Sequence, residues 1–136
     1  MDTRSDIRAV VQEYWALPLE RLRVVQKLED LRLADIHAGV VFVYAAWSGP
    51  ARMALGQVMR LLSTLDLGTL DVVILDIDCL TAEDTQRLFG HVFGGYGETL
   101  WIREGRVVAK VLVHTDATER MVLGWTQELL KDRSGD

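Results

Sequence analysis

The chain has 136 residues, 49% of them apolar and 26% charged, and a net charge of −5. That is one domain's worth, with room for a real core, and the acidic balance gives no global attraction to nucleic acid or an anionic membrane. No apolar run approaches the ~20 residues of a membrane span, and a single cysteine, Cys79, rules out an intramolecular disulfide framework, leaving only an intermolecular bond open.

The N-terminus, Met1-Asp2-Thr3-Arg4-Ser5-Asp6, lacks the basic segment and apolar core of a signal peptide. A cytoplasmic protein is the expectation. No repeat, low-complexity tract or linker interrupts the sequence, so residues 1–136 read as a single domain, with a flexible tail over 132–136.

Ile7, Val10, Val11, Tyr14 and Trp15 fall at i, i+3, i+4, i+7 and i+8, the spacing of an amphipathic helix. Thr3 or Ser5 can cap it. Pro18 disfavours helix at Leu17 and ends it there. Residues 19–37 read two ways. Val24, Val25, Leu28, Leu31 and Ile36 line one helix, or Arg23–Leu28 is a strand and Glu29–His37 a short helix. Gly39 ends the segment either way.

Val40–Ala46 is continuously apolar and β-rich, as a buried parallel strand requires. Ser48 then suits a helix N-cap and Pro50 a first turn, where the missing N–H costs nothing. Leu55, Val58, Met59, Leu62 and Leu65 carry a helical stripe on to Gly68. Leu70–Ile77 is a second buried strand. Thr81 and Asp84 have the spacing of a capping box, opening a helix through about Phe89. Gly90, Gly94, Gly95 and Gly97 make a glycine-rich loop. Thr99–Arg103 and Arg106–Val113 flank Glu104-Gly105, a two-residue hairpin signal. The last helix starts near Thr115 or Asp116 and buries Val122, Trp125 and Leu129. Parallel βαβ units followed by an antiparallel ββα unit predict a mixed sheet with helices on both faces.

The junction after Val40–Ala46 reads Trp47-Ser48-Gly49-Pro50-Ala51. With cysteine at both 48 and 51 it would be Trp-Cys-Gly-Pro-Cys, the redox motif of thioredoxins. Tyr44, Ala45 and Trp47 fit the family's aromatic-Ala-x-Trp approach. Ile77-Asp78 fits the end of its third strand, Gly97-Glu98-Thr99-Leu100 its cis-proline segment, and Glu104-Gly105 its hairpin turn. Over roughly residues 22–131 the chain therefore resembles the thioredoxin superfamily. The resemblance implies a thioredoxin-like α/β fold, here with an added N-terminal helix over 1–18.

The departures concern chemistry. In the family the first cysteine is a thiolate nucleophile and the second resolves the mixed disulfide. Ser48 and Ala51 supply neither. The family's buried acid falls, by count, at Phe42. The cis-proline position is Glu98, where a cis bond would cost roughly 2.5–4 kcal/mol and a trans peptide is expected. Nucleophile, resolver, buried acid and substrate loop all differ together, so dithiol exchange is not expected.

Other chemistries find thin support. A Ser48 nucleophile needs a base and an oxyanion hole. No G-x-S-x-G elbow is present, and His91, on the glycine-rich loop, is the one histidine expected near it. Cys79 follows Asp78 near the motif face, but Asp76, Asp78, Glu83 and Asp84 would raise its pKa. His37, His91 and His114 are far apart in sequence and form no metal-ligand spacing. Gly94–Gly97 lacks the lysine and following helix of a phosphate loop. No metal or cofactor is expected. Related proteins hold these two positions close, so the resemblance implies that Trp47 and Asp78 pair, indole N–H to carboxylate, which fixes the motif loop; an exposed Trp47 would also make a binding anchor.

Thioredoxin-like families without the dithiol commonly serve as chaperones, adaptors or subunits. The resemblance thus implies a redox-inactive protein holding a protein or peptide partner on a face made of Trp47, Ser48, Gly49, Pro50, Ala51, Asp78, Gly97 and Glu98; the acidic balance gives the expectation of no nucleic-acid or membrane partner. Two alternatives stand beside it. One is a monothiol or glutathione-type redox enzyme using Cys79 or Ser48. The other is a structural subunit of a homodimer, built through the N-terminal helix.

Overall fold

The computed structural model describes Ala9 and residues 22–134. The expected first helix, its apolar face and the dimer built on it fall, Ala9 apart, outside the described residues.

Five strands form one sheet: β1 (Leu22–Val25), β2 (Ala38–Tyr44), β3 (Asp71–Asp76), β4 (Thr99–Arg103) and β5 (Arg106–Val111), in the spatial order β1-β3-β2-β4-β5. β1 and β2 both run parallel to β3, and β4 runs antiparallel to both β2 and β5. The sheet is mixed, as the element order predicts. β2, in the middle, is buried along nearly its whole length, which its unbroken apolar sequence requires.

Side-chain alternation along the strands makes two cores. Val40, Phe42, Tyr44, Val72, Ile74 and Trp101 point to one face, where α1 (Gly49–Leu62) and α3 (Thr118–Ser134) cover them. Val41, Val43, Val73, Leu75, Leu100 and Ile102 point to the other, beneath α2 (Ala82–Phe89) and Phe93. Helices therefore lie on both faces.

From Leu22 on, the ambiguous stretch resolves as a strand, shorter than Arg23–Leu28, and not as one long helix. Two single turns of 3₁₀ helix, Leu28–Asp30 and Leu33–Asp35, replace the expected short helix. Between them the chain returns to extended geometry at Leu31, which is buried, and Arg32, so no longer helix can form.

Local signals hold well. Thr81 and Asp84 make a reciprocal capping box, and the hydrogen bonds to Thr81 hold the Asp84 carboxyl below its usual range. Glu104 and Gly105, at φ of 50° and 76°, turn the β4–β5 hairpin. α1 stops at Leu62, short of Gly68.

The last helix differs in three ways. It begins at Thr118, whose hydroxyl accepts from the Thr115 N–H at 2.7 Å. It continues to Ser134, past the start of the expected tail at 132. Its inward row is Thr118, Val122, Thr126 and Leu129, whereas Trp125 sits at the edge of that row and stays 38% exposed. At 100° per residue 118, 122, 126 and 129 share an arc of about 80° centred near 122, and 125 lies just outside its edge, about 60° from 122. The buried Thr126 accepts instead from the Trp101 indole N–H at 3.0 Å.

Candidate functional site

The pentad sits where β2 gives way to α1, at the sheet end toward which β2 and β3 both run. Ser48 is the N-cap of α1, and Pro50 lies in its first turn. The Ser48 hydroxyl accepts from the Ala51 N–H at 3.2 Å and donates to the Gly95 carbonyl at 2.6 Å. Only 8% of the residue is exposed. Its oxygen is thus committed twice, once to the helix and once to the glycine-rich loop. Ala51, behind it, is fully buried.

Trp47 stands outside this contact. Its indole N–H donates to the Asp78 carboxylate at 3.1 Å, as the resemblance implies, and 63% of the residue is exposed. The ring lies against Gly95 so closely that a Cβ at that position would strike it. Asp78 belongs to a single 3₁₀ turn, Ile77–Cys79, rather than to the end of β3. The turn forms because the Asp76 carboxylate, at the strand's last residue, accepts from the Asp78 N–H at 3.0 Å.

Glu98 has a role the sequence did not reveal. It is buried, and its two carboxylate oxygens accept from the N–H groups of Gly94 (2.6 Å) and Tyr96 (3.1 Å). The acid therefore ties the glycine loop to its own base. Its peptide is trans, as expected, and its carbonyl accepts from Val43 N–H at 2.8 Å. Gly97 packs on the pentad's helix. With φ at +83°, a Cβ there would come within 2.6 Å of Ala54 and 3.1 Å of Phe42. Phe42, at the place the resemblance assigns to a buried acid, is a core side chain with no titratable group.

The histidine at this end is His114, not His91. Nε2 of His114 lies 2.8 Å from the Gly97 carbonyl, to which only a donor can bond, so that nitrogen carries the proton. Nδ1 is buried without a partner. His91 instead rests beside Phe93, a side chain of the opposite core. The topology held the signal: β5 runs parallel to β2, so the residues just after it reach the pentad's end of the sheet. Neither histidine bonds Ser48, whose hydroxyl proton already has an acceptor. That arrangement has no activated serine.

Cys79 is half-buried against the second core. Burial, then the Asp76 carboxylate, push its thiol up to about 11, with Glu29 and Asp78 adding to the rise. Glu29 was not foreseen, and the expected Glu83 and Asp84 do not contribute. Such a thiol is a poor nucleophile at neutral pH. Among the described residues no group of three His, Cys, Asp or Glu side chains could hold a metal ion, and no helix is long and apolar enough to cross a membrane.

Beside the pentad runs a groove of about 630 Å³. Pro50, Met53, Gln57 and Arg60 line it from α1, and Tyr96, Val113 and His114 from the facing loops. Met53 is 79% exposed, and Tyr96 and Val113 are exposed as well.

No family model matches the chain, and no curated protein matches it in sequence. Solved structures do. Oxidised thioredoxin O2 from Arabidopsis thaliana superposes with a TM-score of 0.63 at 16% identity, covering 80% of this chain and 96% of that one. Oxidised thioredoxin from Plasmodium falciparum gives 0.61 at 15% identity, over 77% and 98%. The thioredoxin of Malassezia sympodialis gives 0.60 at 19% identity, over 83% and 95%. The chain has the thioredoxin-like fold.

Proposed function

We propose that this thioredoxin-fold chain is a cytoplasmic binding or assembly protein that performs no disulfide exchange and holds a protein or peptide partner on its pentad face. One observation carries the reading. The oxygen of Ser48, where a thioredoxin has its nucleophile, is buried and spent on two internal hydrogen bonds, while Trp47 and Met53 beside it are bare to solvent. A chain with one cysteine has no dithiol of its own. Exposed tryptophan held in place by a hydrogen bond loses little entropy on binding and is the residue type most enriched at binding hot spots.

Two measurements test this. Purified protein supplied with a thioredoxin reductase and a disulfide substrate is expected to give no turnover. Affinity capture from its own cytoplasm is expected to return a stoichiometric partner that Trp47→Ala loses. Reductase-dependent turnover abolished by Cys79→Ser overturns the reading, and so does capture indifferent to Trp47→Ala and Met53→Asp alike.

A further inference from the structure

The His114 ring leaves one hydrogen bond unmade. Its Nε2–H donates to the Gly97 carbonyl at 2.8 Å, while Nδ1 is buried and has no partner. In the neutral ring Nδ1 is only a bare acceptor. A second proton has to fall on that nitrogen, because Nε2 already carries one. It turns a bare acceptor into a charged donor with nothing to receive it. The neighbouring Phe42 ring, 6.5 Å away between centroids, offers no lone pair.

Two further observations show what the ring does then. The Gly97 carbonyl is not orphaned when His114 leaves, since the Thr99 hydroxyl already donates to it at 3.0 Å. The ring also has somewhere to go. His114 is only half-buried and forms part of the wall of the groove of about 630 Å³ beside the pentad. Among the described residues, the charged and titratable groups on the surrounding elements do not hold a protonated ring in place. Arg60, on the α1 side of the groove, is a cation with a partner of its own. Tyr96 stands on the facing wall. Both oxygens of Glu98 are turned to the N–H groups of Gly94 and Tyr96. Asp116 and Glu119, near the start of α3, are exposed. β2 and β4 bring up Phe42 and Thr99, which do not titrate.

We propose that His114 is a proton-operated clasp on the glycine-rich loop. Neutral, it pins Gly97 and stays in the groove wall. Doubly protonated, it releases the carbonyl and turns its ring into the groove, narrowing the space between Met53, Tyr96 and Val113. Histidine is the side chain whose charge ordinarily changes between pH 5 and 8. That acid then loosens a partner seated in the groove rests on the partner-binding reading above.

Nuclear magnetic resonance of the full chain from pH 8 to pH 5 tests the clasp. It compares wild type with His114→Gln, which keeps a neutral donor for Gly97. Both proteins carry His91→Gln, which silences the other histidine near the loop. Long-range proton–nitrogen spectra read the ring's charge and tautomer, the amide signals of residues 94–99 read the loop, and the His114–Phe42 proton contact reads the ring's position. At pH 8 the Nε2–H tautomer is expected. On acidification the Phe42 contact should be lost and the Glu98 amide, next to the released carbonyl, should shift at the ring's own titration midpoint. The loop of His114→Gln should show no shift at that midpoint. A ring that charges without leaving Phe42, a ring still neutral at pH 5, or the same loop shift in His114→Gln overturns the proposal. Circular dichroism follows the fold. If acid unfolds the chain within this range, wild type is expected to unfold at the higher pH of the two, and a shared unfolding pH overturns the proposal as well. None of these outcomes bears on Trp47, so the reductase and capture assays decide the functional reading separately.

Discussion

Removing one hydroxyl tests how the pentad works. In Ser48→Ala the Ala51 N–H loses its cap, a loss of about 1 kcal/mol for a serine N-cap. The Gly95 carbonyl loses a donor in a buried setting, where an unsatisfied polar group costs about 1–3 kcal/mol. The two losses lie on one atom and together predict a destabilisation of about 2–4 kcal/mol. For a chain of 136 residues that lowers Tm by about 7–14 °C. Urea unfolding followed by circular dichroism reads the difference at unchanged m-value. Ser48→Asp separates the two bonds. It keeps an acceptor for Ala51 but sets a carboxylate against the Gly95 carbonyl, so it is expected to be no more stable than the alanine variant. A Ser48→Ala protein within about 0.5 kcal/mol of wild type, or a neutral Ser48→Asp, would refute the claim that this oxygen binds the loop to the helix.

Other predictions follow from the same geometry. Gly97→Ala combines a left-handed backbone, worth about 1–2 kcal/mol against any Cβ, with the 2.6 Å clash on Ala54, and should cost more than the backbone term alone in the same urea assay. Thr126→Val leaves the buried Trp101 indole N–H without an acceptor and should cost about 1–3 kcal/mol, and should cost less in a Trp101→Phe background, where no N–H is orphaned. Cys79 should alkylate with iodoacetamide far more slowly at pH 7.5 than an unhindered thiol, its rate climbing until the pH nears about 11. Because burial raises that thiol's pKa, any stability linked to it is complete below the unfolded value and fades as pH rises toward about 11, and Cys79→Ala should remove the trend. Cysteine restored at both 48 and 51 is expected to return little disulfide reduction.

What could be read in advance was local. Ser48-Gly49-Pro50, Thr81 with Asp84, and Glu104-Gly105 each organise the backbone within three or four residues, so their spacing was enough. The mixed sheet with helices on both faces followed from the order of the elements along the chain. Two of the misreadings were set by distant partners. Trp125 had the right chemistry for a core, but the helix phase was fixed by Val122 and Leu129 against the sheet. His114 was overlooked in favour of His91 because only the completed topology brings the end of β5 beside the pentad. Glu98 was read as a departure from proline, whereas its carboxylate is the device that folds the loop. Residues 19–37 were undecidable by periodicity, since short 3₁₀ turns leave no 3.6-residue signature.

The short bond from Ser48 to Gly95 also bears on any cysteine placed at 48. A 2.6 Å contact between two oxygens has no room for sulfur, whose larger radius would lever the loop away from α1. Glu98 would resist, since it holds that loop from the other side. A thiol installed there meets a loop already closed over it, and nothing outside could reach the sulfur until the loop and the acid that anchors it changed as well.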